Sequence, residues 1–129
     1  MSRILVVDDD PQLRKMVALI LTQAGHVAIE APNGRKAVEE HRRDAVQLVI
    51  TDIVMPEQEG IETIEALRQG WPELPIIAIS GGLANSKIYL ALAAKLGAQQ
   101  TLAKPFTPEQ LLSVVAEVLA APQAPAAGS

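Results

Sequence analysis

The chain has 129 residues, and its 15 acidic side chains against 11 basic ones give a net charge of −4, which suits one domain and excludes the basic surface that nonspecific nucleic-acid binding requires. Apolar residues make up 49% and charged residues 20%, a composition that buries a core rather than staying disordered. No cysteine is present, so there is neither a disulfide framework nor a thiolate metal site, and the apolar run in MSRILVV is too short for a signal peptide or a membrane span, which predicts a cytoplasmic protein without membrane insertion.

The first predicted strand is RILVV, which runs into Asp8, Asp9 and Asp10 and then Pro11. Three adjacent carboxylates repel one another and disfavour ionisation. Asp10 can be explained as the N-cap of a helix with Pro11 in its first turn; Asp8 and Asp9 cannot. That helix runs from Pro11 to about Ala24, with Gly25 placed as its C′ residue. HVAIEA reads as the second strand, and a second helix follows Asn33 through RKAVEEHRR. QLVITDI is the third strand, and GIETIEALRQ is a helix stopped by Gly70, with Pro72 just beyond.

PIIAIS is the fourth strand, SKIYLALAAKL a fourth helix ending at Gly97, and QTLAK the fifth strand. The third and fourth runs are almost wholly apolar, as strands covered on both faces are. The last helix starts after Thr107, with Pro108 at N1 and Gln110 at N3, a capping-box pattern. Leu111, Leu112, Val115, Val118 and Leu119 form its apolar stripe. The tail APQAPAAGS carries no hydrophobic pattern, which predicts a domain over residues 1–120 and a flexible tail over 121–129. Five alternations of strand and helix predict an α/β doubly wound domain with a parallel sheet and its site at the carboxyl ends of the strands.

At those ends the sequence places Asp8 and Asp9 after the first strand, Asp52 in the third, Ser80 closing the fourth and Lys104 closing the fifth. Hard oxygen donors suit Mg²⁺, which keeps several waters and shares a phosphate; a bound cation would also relieve the repulsion among the acids. Lysine supplies a point charge for a phosphoryl oxygen and serine a hydroxyl donor. His26 and His41 have no ligand spacing and read as solvated histidines, while Trp71 in GWPELP reads as a loop residue packed on the domain edge.

The segments VVDD (6–9), TDIVMP (51–56), AISGG (78–82) and LAKPF (102–106), in that order, resemble those of response-regulator receiver domains, the phospho-accepting modules of bacterial two-component signalling. The resemblance extends over about residues 2 to 120. It implies a (βα)5 flavodoxin-like fold, a five-stranded parallel sheet in strand order 2-1-3-4-5. It also implies that Asp52 accepts a phosphoryl group from a sensor histidine kinase or a histidine phosphotransfer protein. Asp9, Asp52 and the backbone carbonyl of Val54 would ligate Mg²⁺, with Asp8 acting through bound water. Ser80 and Lys104 would hold the phosphoryl group, and the Lys104–Pro105 peptide would be cis.

The implied output is a changed surface for a downstream protein target, or onward relay of the phosphoryl group. Beyond self-catalysed phosphoryl transfer and autodephosphorylation, no enzyme activity is implied. The alternative is a receiver-fold interaction module that works without phosphorylation. Thr101 stands where the family usually carries an aromatic residue, so switching would use other parts, Tyr89 being one candidate. Val54 and Gly82 offer no polar side chain to orient water, which implies a long-lived phosphoryl-aspartate. LVVDDDPQL also resembles the start of haloacid-dehalogenase-type phosphatases, with Asp8 as nucleophile and Asp10 as acid/base. Gln12, the short chain and the idle Asp52 weigh against that reading.

Overall fold

The computed structural model describes residues 2–53, 59–80, 91, 94–95 and 97–120. The predictions made for Val54, Gly82, Tyr89 and the tail over 121–129 lie outside the described residues, as does most of the helix predicted after the fourth strand, of which Ala91, Ala94 and Lys95 are described as helical. The elements are β1 (Arg3–Val7), α1 (Pro11–Gln23), β2 (Val27–Ala31), α2 (Gly34–Arg43), β3 (Leu48–Asp52), α3 (Glu59–Gly70), β4 (Ile76–Ser80), β5 (Gln100–Ala103) and α4 (Pro108–Ala120). The strands form one parallel sheet in the order β2-β1-β3-β4-β5, the doubly wound arrangement that the sequence predicts.

Alternation along each strand divides the core in two, because successive side chains point to opposite faces. Leu5, Val7, Val49, Ile76 and Ala78 pack with Ala37, Ile61, Ile64 and Leu67 of α2 and α3. Ile4, Val6, Leu48, Ile50, Ile77 and Ile79 pack with Val17, Leu21, Leu111, Val115 and Val118 of α1 and α4. Every residue of β3 and β4 is buried, as strands covered on both faces must be. Each fully buried Leu or Ile contributes about 1.5–3 kcal/mol, so these two layers fix the strand ends on which the site stands.

Local chemistry sets the helix ends. The Asp10 carboxylate accepts from the Gln12 and Leu13 amides at 3.0 and 3.5 Å. Gly25, at φ 95°, takes the left-handed conformation that closes α1. At α4, Thr107 and Gln110 complete a reciprocal capping box, with bonds of 2.8 and 3.1 Å. Gly70, in contrast, does not stop α3. The helix includes it, and the Trp71 amide still donates to Leu67 O at 2.7 Å; the stop falls at Pro72, which disfavours helical backbone in the residue before it.

Two glycines make opposite predictions. A Cβ at Gly34 would collide with Thr63 Oγ1 and lie 3.1 Å from Thr63 Cβ, where α2 meets α3, so Gly34→Ala is expected to destabilise by about 1–3 kcal/mol through overpacking. A Cβ at Gly70 meets nothing within 4 Å, so Gly70→Ala should stabilise by about 0.5–1 kcal/mol. Urea unfolding of the two variants checks both signs.

Candidate functional site

The chain leaves β1 outward to β2 and then returns to β3 on the other side of β1, so a crevice opens between the carboxyl ends of β1 and β3. Asp8 follows β1 directly and is 3% exposed; Asp52 is the last residue of β3 and is 4% exposed. Asp52 pairs in register with Ile79, and Ser80 with Ala103, which sets the ends of β3, β4 and β5 side by side. The Lys104 amide donates to Ser80 O at 2.8 Å, extending that ladder by one residue past β5. The Lys104–Pro105 peptide is cis.

This placement brings Lys104 to Asp52: Nζ donates to Oδ2 at 2.9 Å, across 52 positions of sequence. The Asp52 side chain is 5% exposed and that of Lys104 27%, so the carboxylate is enclosed while the ammonium keeps a route to water. Ser80 is fully buried, and its Oγ has no hydrogen-bond partner among the described residues. A buried hydroxyl is ordinarily satisfied, and one left open at the strand ends that also carry Asp52 and Lys104 suits an incoming oxygen-rich group.

The three adjacent aspartates divide into three environments. Asp8 turns inward, and its Oδ1 accepts from the Asp10 amide at 2.9 Å. Asp9 is exposed. Asp10 caps α1 through its Oδ1, the role that the sequence predicts for it. Burial pushes the Asp8 carboxyl up to about 6 from an ordinary 3.8; the charges of Asp52 and Asp9 add to the rise, while the Asp10 amide and the Lys104 ammonium oppose it. A hard cation would offset this burden. Carboxylate oxygens are hard donors of the kind such a cation takes, although among the described residues no three His, Asp or Glu side chains cluster closely enough to cage a metal by themselves.

Sequence reasoning missed two features, one beside the crevice and one at the far end of the sheet. Arg14 braces the acidic turn: its Nη1 donates to Asp8 O at 2.9 Å and its Nε to Glu30 Oε1 at 3.0 Å. No local pattern carries that contact, which depends on β2 lying beside β1. His41, predicted to be solvated, is instead buried. Its Nδ1 accepts from the Val46 amide at 3.0 Å, and its ring meets Trp71 edge-on at 4.4 Å between centroids; burial lowers its pKa, favouring the neutral ring. The signal was the spacing of Gly34, Ala37 and His41, all on the buried face of α2. Trp71 is half-buried against the core, as expected for a residue at the domain edge. A cavity of about 400 Å³ bordered by His41, Trp71 and Pro75 lies where β3 and β4 begin, at the sheet edge opposite the acids.

A family model described as the response regulator receiver domain matches residues 4–116. The chain is 37% identical to the chemotaxis protein CheY of Thermotoga maritima over 118 residues, 91% of this chain and 97% of that one. It is 33% identical to the transcriptional regulatory protein CpxR of Escherichia coli over 92% of its own length but only 50% of the relative's. Among solved structures, the receiver domain of NtrX from Brucella abortus superposes with a TM-score of 0.85 at 32% identity, covering 90% of this chain and 97% of that one. No helix among the described residues is long and apolar enough to cross a membrane. The model match across most of the chain, the relatives, and the sheet order with its acid-lined crevice agree: this chain belongs to the response regulator receiver domain family.

Proposed function

We propose that this chain is a phosphorylation switch in which Asp52 accepts a phosphoryl group from the phosphohistidine of a sensor kinase or histidine phosphotransfer protein in the cytoplasm. The observation that carries this reading is the enclosed Asp52 carboxylate, 2.9 Å from the Lys104 ammonium, with the buried Ser80 hydroxyl, which has no partner among the described residues, at the end of the adjacent strand. A carboxylate oxygen of Asp52 attacks phosphorus in line; the O–P bond forms as the P–N bond breaks, and the imidazole leaves with a proton taken from water. The Lys104 ammonium passes to a phosphoryl oxygen, and Ser80 Oγ donates to a second one. Catalysis of this kind is positioning and charge neutralisation.

Asp9, Asp52 and the Val54 carbonyl would hold Mg²⁺, with Asp8 reaching it through water. When bound, the ion neutralises charge on the phosphoryl oxygens and the acids. The protein acts on no separate substrate: the acyl phosphate forms on the chain itself and ends by hydrolysis or relay. Its output is a changed surface for a downstream protein target.

Intact-mass measurement after incubation with acetyl phosphate tests the proposal. One phosphoryl group is expected on the native chain with Mg²⁺, none with EDTA, and none on Asp52→Asn. No addition to the native chain under any of these conditions would overturn the acceptor role and leave a phosphorylation-independent binding module.

A further inference from the structure

We propose that Arg14 is a positioning residue that fixes the acidic turn after β1 and so sets where Asp8 and Asp9 present their carboxylates; the inference rests on the phosphoryl-acceptor reading above. The Arg14 side chain is 15% exposed and bonds the backbone of the turn rather than its carboxylates. Nη1 donates to the main-chain carbonyl of Asp8 at 2.9 Å, and Nε to Glu30 Oε1 on β2 at 3.0 Å. The other side of Asp8 is tied to the same strand, since its amide donates to Ala31 O at 3.2 Å. Asp8 is therefore held at both its N–H and its C=O from β2, once by backbone and once through Arg14. The Asp10 amide, donating to Asp8 Oδ1 at 2.9 Å, ties the carboxylate to the same frame. Arg14 also stands one turn past the cap residue, its own amide donating to Asp10 O at 3.0 Å, so α1, the turn and β2 meet in one side chain.

Two features make the role specific to arginine. A planar guanidinium offers separate donors in a fixed fork, so it can serve a carbonyl and a carboxylate together, which a lysine ammonium does not reproduce. The second feature is the sign of the charge effect. A cation beside acidic side chains repels a second cation, so by charge alone the loss of Arg14 would tighten divalent binding. Positioning predicts the reverse.

The test uses the full chain with Mn²⁺ alone as the probe, free ion being counted by electron paramagnetic resonance, and amide hydrogen exchange in metal-free buffer as an independent readout. Arg14→Ala and Arg14→Lys are each expected to weaken Mn²⁺ binding about tenfold, the scale seen when groups that orient metal ligands are removed. In both variants the Asp8 and Asp10 amides should exchange faster while those of Leu5, Val6 and Val7 keep their rates. Glu30→Gln, which loses the buttress and keeps the Arg14 bond to Asp8 O, should shift both readouts in the same direction by less, and it decides the matter if the Arg14 variants do not fold. Binding that tightens or stays unchanged in Arg14→Ala, with unchanged exchange at Asp8 and Asp10, overturns the proposal; so does Arg14→Lys matching the native chain in both readouts. A native chain that binds no Mn²⁺ defeats the metal reading alone, and the exchange rates then decide whether Arg14 positions the turn.

Discussion

Asp8→Asn is expected to make the metal-free protein more stable at pH 7, by about 3 kcal/mol on the scale of 1.36 kcal/mol per pKa unit, while abolishing Mg²⁺-dependent phosphorylation. The folded chain holds the Asp8 carboxyl at about 6, against an ordinary 3.8. Between those values the folded state binds a proton that the unfolded state has released, so stability falls as pH rises. The contribution is fully present below about 3.8 and lost as pH passes through about 6. At neutral pH, then, the native chain holds a charged carboxylate that burial disfavours. Asparagine carries no charge, and its amide oxygen can still accept from the Asp10 amide as Asp8 Oδ1 does. Urea unfolding from pH 4 to pH 8 without metal should show a fall for the native chain that is absent in the variant. Adding Mg²⁺ at pH 7 should stabilise the native chain and leave Asp8→Asn nearly unchanged, because ligand binding raises stability only where the folded state binds. A native pH profile as flat as the variant's would remove burial of Asp8 as a cost carried for function.

The same residue marks how far the sequence could be read. Three consecutive aspartates signalled a site, and the alternation of apolar runs placed it at the strand ends, because parallel strands and their crossovers leave few topologies open. Local devices were equally legible: the Asp10 cap, Gly25 and the Thr107–Gln110 box each depend on residues within three or four positions. What the sequence did not carry was the sorting of the other two aspartates. Burial of Asp8 and exposure of Asp9 depend on which way one turn faces once β2 and β3 flank β1.

Contacts distant in sequence escaped for a related reason. Arg14 and Glu30 meet across 16 positions, and neither belongs to a pattern that singles it out. Nothing near Gly34 in the sequence signals Thr63, which lies against it where α2 meets α3. His41 was misread because histidine is polar, although its place seven residues after Gly34 put it on the buried face of α2; the Val46 amide and Trp71 then satisfy it. Gly70 was misread in the opposite direction. A glycine ends a helix when it adopts left-handed backbone, and here the following Pro72 ends it instead.

Lys104→Met is expected to lower stability at neutral pH by about 1–2 kcal/mol, and Asp52→Asn/Lys104→Met to recover most of that loss. Removing one partner of a fully buried ion pair costs about 3–5 kcal/mol. Lys104 keeps a side chain 27% exposed, and solvent screening reduces the effect. The Asp52 carboxylate, 5% exposed and close enough to Asp8 to raise its pKa, would then face the crevice without its lysine; replacing it by asparagine in the double variant removes the charge that needed one. The double-mutant cycle isolates the pair, with an expected coupling of about 1 kcal/mol or more, and urea unfolding at two salt concentrations measures it. A coupling below about 0.5 kcal/mol, in the range of exposed pairs, would mean that the 2.9 Å contact does little to hold the ends of β3 and β5 together. The measured value also bears on the switch. Under the proposed function, a phosphoryl group on Asp52 would draw Lys104 from Oδ2 to a phosphoryl oxygen, so the coupling is the interaction that the new contact would have to replace. A strong pair makes the unphosphorylated state a defined conformation rather than a loose one, and that is the condition under which a single covalent change can select a different surface.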